Sequence, residues 1–118
     1  MENIQNRTDL YDGSNQVMVA EGVYPAELVQ VRHLIGPFGR RVGLLFRICD
    51  GEYKNVEILD TAFPKTSPKG KLAEMLGGLC KEIPADLNEL VGKRCRIAVQ
   101  HETSGRGKRY VGIARTYQ

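Results

Sequence analysis

The segment VYPAELVQVRHLI, residues 23–35, alternates apolar and polar residues as a half-buried strand does, but the alternation breaks once, where Leu28 and Val29 adjoin. A strand has a side-chain period of two, so one extra residue moves every later side chain to the opposite face. A β-bulge or a sharp coil at that point explains the break. A strand that changes face in mid-run suits a small barrel, where one long strand curls to serve both halves.

The rest of the chain fits that frame. After Gly-Pro-Phe-Gly, RVGLLFRIC alternates cleanly, with Val42, Leu44, Phe46 and Ile48 on one face and Arg41, Gly43, Leu45 and Arg47 on the other. DGEYKN reads as a turn, and VEILDTAF as a third strand with Val56 and Ile58 on the core face. In PKTSPKGKLAEMLGGLC, Ser67 can cap a helix and Pro68 suits its first position. Leu72, Met75, Leu76 and Leu79 fall at helical spacing, and Gly77-Gly78 marks the end. PADLNEL is a short helical turn, and RCRIAVQHET, SGRGK and RYVGIARTY form a last hairpin. Three strands, a helix and two strands predict an all-β fold with one helix: a five-stranded, OB-fold-like Greek-key barrel with its helix between strands 3 and 4. A sandwich fragment or an SH3-like barrel shares part of the pattern. Residues 1–20 read as a polar N-terminal arm, with a short strand at QVMVA, and residues 21–118 as the barrel domain.

At 118 residues, 42% apolar and 26% charged, the chain has the size and composition of one domain with a modest core. No apolar run approaches the roughly 18 residues of a membrane span. The polar start lacks the apolar centre of a signal peptide, so an intracellular protein is expected. Cys49, Cys80 and Cys95 are odd in number and widely spaced, which predicts reduced, mostly buried thiols and no zinc site.

Net charge is only +3, but its distribution is uneven. Arg32, Arg40, Arg41 and Arg47 share a segment without acids, and so do Arg106, Lys108, Arg109 and Arg115. In the predicted barrel these segments carry the loops that flank the oligonucleotide face of strands 2 and 3 in OB-folds. Arg40, Arg41, Arg47, Arg106, Lys108 and Arg109 are therefore candidate phosphate ligands. Phe38, Tyr53 and Tyr110 are candidate platforms for unstacked bases. Other placements stay open at this level: Phe38 folded back as a plug, Tyr110 turned into the barrel, and the basic residues as solvated turns. Phe63 is a further candidate, though it is expected to pack under the helix.

From Gly22 onward the chain resembles a class of small phage and prophage proteins, on the stretches EGVYPAELVQV, GLLFRICDGEYKN, LAEMLGGL and DLNELVGKRCRIAV. Members of that class are similar to OB-fold single-stranded DNA-binding proteins of phage replication and recombination. The resemblance implies that fold, a DNA-metabolism setting and the cytoplasm of a bacterial host cell. It assigns no contact residues. Bacterial housekeeping single-strand binders resemble the same fold but end in an acidic tail. This chain ends ARTYQ, so recruitment of partner enzymes by that route is not expected.

Catalysis is not expected. No nucleophile motif, phosphate loop or HExxH is present, and His33 and His101 lie in unrelated strands without a base-and-orienter partner. Asp50 and Glu52 belong to a turn, while Glu57 and Asp60 take opposite faces of a strand, which argues against a magnesium site. The expectation is non-catalytic binding of single-stranded DNA with low sequence preference, without cofactor or metal. RNA and a homodimer or higher homo-oligomer are left open. The alternative is a protein-interaction or assembly module on the same barrel, with Leu45 and Leu59 as a partner patch.

Overall fold

The computed structural model describes residues 17–64 and 70–118. The expected cap at Ser67 and the first helical position at Pro68 lie outside the described residues. Five strands follow the predicted order: β1 (Gly22–Gly36), β2 (Gly39–Ile48), β3 (Glu57–Ala62), β4 (Arg94–Thr103) and β5 (Arg109–Tyr117). A short helix, α1 (Lys71–Leu76), and a 3₁₀ turn, Leu87–Leu90, separate β3 from β4. The strands form one antiparallel sheet in the order β3-β2-β1-β4-β5. This is the arrangement of an OB-like barrel, left open between β3 and β5. Among the described residues no helix is long and apolar enough to cross a membrane.

The face change in β1 is a bulge. Its register against β2 shifts between Leu28 and Gln30. Leu28 still pairs with Phe46, and its backbone also bonds to Gly92 and Lys93 ahead of β4. Inward positions run Ala26 and Leu28 before the bulge and Val31 after it. The first half of β1 pairs with β4 and the second half with β2, with Ala26 and Glu27 pairing on both sides.

The core is filled by Leu28, Leu44, Phe46, Ile58, Ile97 and Ile113, each fully or almost fully buried. Each such side chain contributes roughly 1.5–3 kcal/mol of burial. Helix α1 adds Leu72, Met75 and Leu76, and ends at Gly77 as its sequence predicts. A Cβ on Gly78 would stand 2.5 Å from the Tyr117 backbone, so only glycine lets this turn touch β5. Thr116 fastens the contact, accepting from the Gly78 N–H at 2.7 Å and donating to the Met75 carbonyl at 2.9 Å. Val17–Ala20 form no strand, contrary to the expectation for QVMVA, yet Val19 is fully buried in the core. Cys95 is buried, while Cys49, one residue past β2, and Cys80 are half-buried.

Asp60 spans the opening between β3 and β5. It sits on the inward face of β3, 4% exposed. Its Oδ2 accepts the Ile113 N–H of β5 at 2.7 Å, and its Oδ1 accepts from the Thr61 N–H and from Lys71 Nζ at 3.0 Å. Glu102 lies on the far side of the same lysine, at 3.8 Å. Burial pushes the Asp60 carboxyl above its ordinary value of 3.8, against the opposing pull of Lys71 and the Ile113 N–H.

Asp60→Asn keeps one acceptor oxygen for donors on two sides. It should lower the unfolding free energy by about 1–3 kcal/mol in urea titrations at neutral pH. The two proteins should also differ in pH dependence. The folded state holds the Asp60 proton to higher pH than the unfolded chain does, so this group's contribution to stability falls as pH rises from about 3.8 through its raised folded value. The margin of wild type over Asp60→Asn should therefore be widest in acid and narrow as pH climbs. A margin that widens with pH would contradict the buried carboxyl.

Candidate nucleic-acid interface

Strands β1 and β2 pair as far as Gly36 and Gly39, whereas β3 reaches only Ala62, opposite Val42. The last rungs of the first hairpin therefore project beyond the sheet as a two-stranded tongue. Pro37 and Phe38 make its turn, closed by Gly39 at φ 116°, a conformation that favours glycine. Phe38 is 87% exposed and Ile35 is 89% exposed. Phe38 does not fold back as a plug. Arg40, one residue past the turn, has a side chain with no hydrogen bond or ion pair among the described residues.

Below the tip, the outer faces of β1, β2 and β3 line up in rungs: Gln30, Leu45 and Leu59, then Arg32, Gly43 and Thr61. A Cβ on Gly43 would meet the ends of Leu59 and Leu34 at 3.2 and 3.3 Å. The two leucines thus close over the glycine and make a small apolar floor between Arg32 and Arg41. Arg41 is held in place. Its Nε donates to Thr61 Oγ1 at 3.0 Å, and its guanidinium lies 4.5 Å from the centre of the Phe63 ring. Phe63 is therefore an exposed partner of Arg41 and does not pack under the helix as expected. Arg47, at the foot of the face, is matched by Glu57 at 2.9 Å.

The second hairpin is ordered by Ser104, whose Oγ accepts from the N–H groups of Arg106 and Lys108, with Gly107 at φ 83°. The Arg106 side chain is exposed. Arg109 donates from Nη2 to His101 Nδ1 at 3.0 Å, and the His101 Nε2–H donates to the Val19 carbonyl at 2.8 Å. Arginine can only donate and a carbonyl can only accept, so this pairing uses the ring proton on Nε2 and the lone pair on Nδ1. Tyr110 is half-buried, and its hydroxyl donates to Glu102 Oε1 at 2.7 Å. Burial and that carboxylate push the phenol well above its ordinary value, while the Arg41 charge pulls the other way.

The structure gathers Phe38, Arg40 and Arg41 on the first hairpin and Arg106, Lys108, Arg109 and Tyr110 on the second. It does not bring Tyr53 to either. Tyr53 follows β2 at the end away from the tip, about 30 Å along a ten-residue strand. Its ring packs edge-on against Tyr24, and its hydroxyl accepts from the Ala20 N–H. Arg32, expected only as part of a basic segment, joins the outer face, and Phe63, one position past the last β2–β3 pair, stands against Arg41 instead of under the helix. Among the described residues no three His, Cys, Asp or Glu side chains gather as a metal would require.

Thermal unfolding followed by circular dichroism separates exposed from anchored residues. Phe38→Ala should change stability by less than about 0.5 kcal/mol. Arg41→Ala, which loses the Thr61 bond and the Phe63 stack, should cost about 1 kcal/mol.

No model of a known protein family matches the chain, and no curated protein matches it.

Proposed function

We propose that this chain binds single-stranded DNA with little sequence preference and without chemistry, in phage-type replication or recombination in the cytoplasm of a bacterial host. The observation that carries the proposal is the Phe38 ring, 87% exposed at the tip of a projecting hairpin, beside Arg40 and above the Arg41–Phe63 stack. An exposed ring gains nothing from the double helix, whose bases are already stacked. Against an unstacked base it is worth about 1–3 kcal/mol. The arginines supply phosphate contacts whose strength falls with salt, because releasing counterions into a more concentrated solution gains less. The apolar floor of Leu34, Gly43 and Leu59 gives a base a flat surface between Arg32 and Arg41. RNA satisfies the same contacts.

A second proposal, an interaction module on the same barrel, is favoured by Ile35, which exposes an aliphatic side chain beside Phe38. The two are separated by fluorescence anisotropy with labelled oligo-dT and a matching duplex across a salt series. Single-strand binding should exceed duplex binding by at least about tenfold, and Phe38→Ala should weaken it by about 1–3 kcal/mol. Replacing Arg40, Arg41, Arg106 and Arg109 together by alanine should flatten the salt slope. No single-strand binding at low salt would exclude the DNA proposal and leave the interaction module.

A further inference from the structure

The projecting hairpin has a second face. Beyond Val31, the inward parity of β1 continues through His33 and Ile35, and that of β2 runs back from Val42 to Arg40. These positions lie past the rim of the barrel, so they wall an open groove instead of entering the core. The groove has a volume of about 630 Å³, and its opposite wall is the segment Ile83–Leu87 between α1 and the 3₁₀ turn. Leu34 and Arg41 border both this groove and the outer face, which makes the two continuous around the hairpin.

We propose that the groove is a second nucleotide subsite, an inference that rests on the single-strand binding proposed above and gives the strand a path. A strand crossing the outer face turns over the tip and seats a further base between Ile35 and Leu87, with its phosphate on Arg40. The volume falls in the range of small-ligand sites, and an apolar lining with a few polar groups is the usual composition of such sites. Charge selects the occupant. Arg40 and Arg41 border the groove, and the one acid among its described lining residues, Asp86, already accepts from the backbone and side-chain nitrogens of Asn88 at 3.0 and 3.1 Å. A polyanion meets complementary charge there. A second copy docked groove to groove would bring its own Arg40 and Arg41 against the same arginines.

The test uses Ala85→Glu, which places a carboxylate on the groove wall at an exposed position without removing core packing. Wild type and variant are titrated at low salt with oligo-dT of about five and about fifteen nucleotides, within the range of OB-fold site sizes. The short strand should bind both proteins equally, which also reports that the variant is folded. The long strand should bind the variant about five- to tenfold more weakly, by repulsion at a phosphate contact. With the long strand alone, the amide chemical shifts of wild-type Ala85 and Leu87 should move. Equal losses at both lengths, or no loss at either, would overturn the subsite while leaving single-strand binding intact. Binding of neither length by wild type would overturn both. Self-association of wild type without DNA, abolished by Ala85→Glu, would assign the groove to a second copy and overturn the subsite as well.

Discussion

The architecture depends on one carboxylate. Hydrogen bonding between strands stops at the edges of β3 and β5, and Asp60 carries the connection across. A buried ion pair is weak grounds for stability, because desolvation opposes the attraction. What Asp60 supplies is direction. Its two oxygens accept donors from β5, from its own strand and from the first residue of α1, and these bonds set the height of β5 against β3. Gly112 makes room for the arrangement, since a Cβ there would overlap the Glu102 carboxylate and crowd Asp60. Glu102 in turn holds Tyr110. The second hairpin is therefore oriented relative to the first through a chain of polar contacts that begins inside the barrel.

The first hairpin works on another principle. Beyond the reach of β3 it has no third strand to cover it, and its apolar residues stay in water. Burying Phe38 would contribute roughly 1.5–3 kcal/mol to folding, and the fold forgoes that gain. Arg41 ties the base of the tongue to β3 through Thr61 and Phe63, leaving Arg40 and the tip as the outermost groups. A rigid stem with an apolar, cationic end is the combination that the proposed strand contacts require.

What is legible in the sequence is what depends on local pattern. The break at Leu28–Val29 predicts the bulge because the period of a strand is inflexible. The clean alternation of β2 predicts which of its residues face out. Phe63 is different. Its meeting with Arg41 depends on the β2–β3 register, which is set by a turn holding both Gly51 and Asn55 at positive φ, and the length of that turn cannot be read from composition. Tyr53 resembles an exposed platform because turns lie on the surface, but its partner Tyr24 sits at the start of another strand. Asp60 does leave a trace, since it shares the parity of Ile58 and Ala62. The partners that make an inward acid tolerable, Ile113 and Lys71, are visible only once the chain has folded.

The leading segment bears on where this domain can be cut. Strand patterning starts at Gly22, and a truncation there looks harmless on paper. It would delete Val19, a fully buried plug, and so open a void in the core. It would also remove Glu21, which accepts from the His101 N–H, and the carbonyl that holds the His101 ring. The imidazole would then be free to turn over, and Arg109 would lose its acceptor. The minimal folding unit is thus longer at its leading end than its sheet, because a few residues without secondary structure act as the stopper of the barrel and the mooring of a cation on the second hairpin.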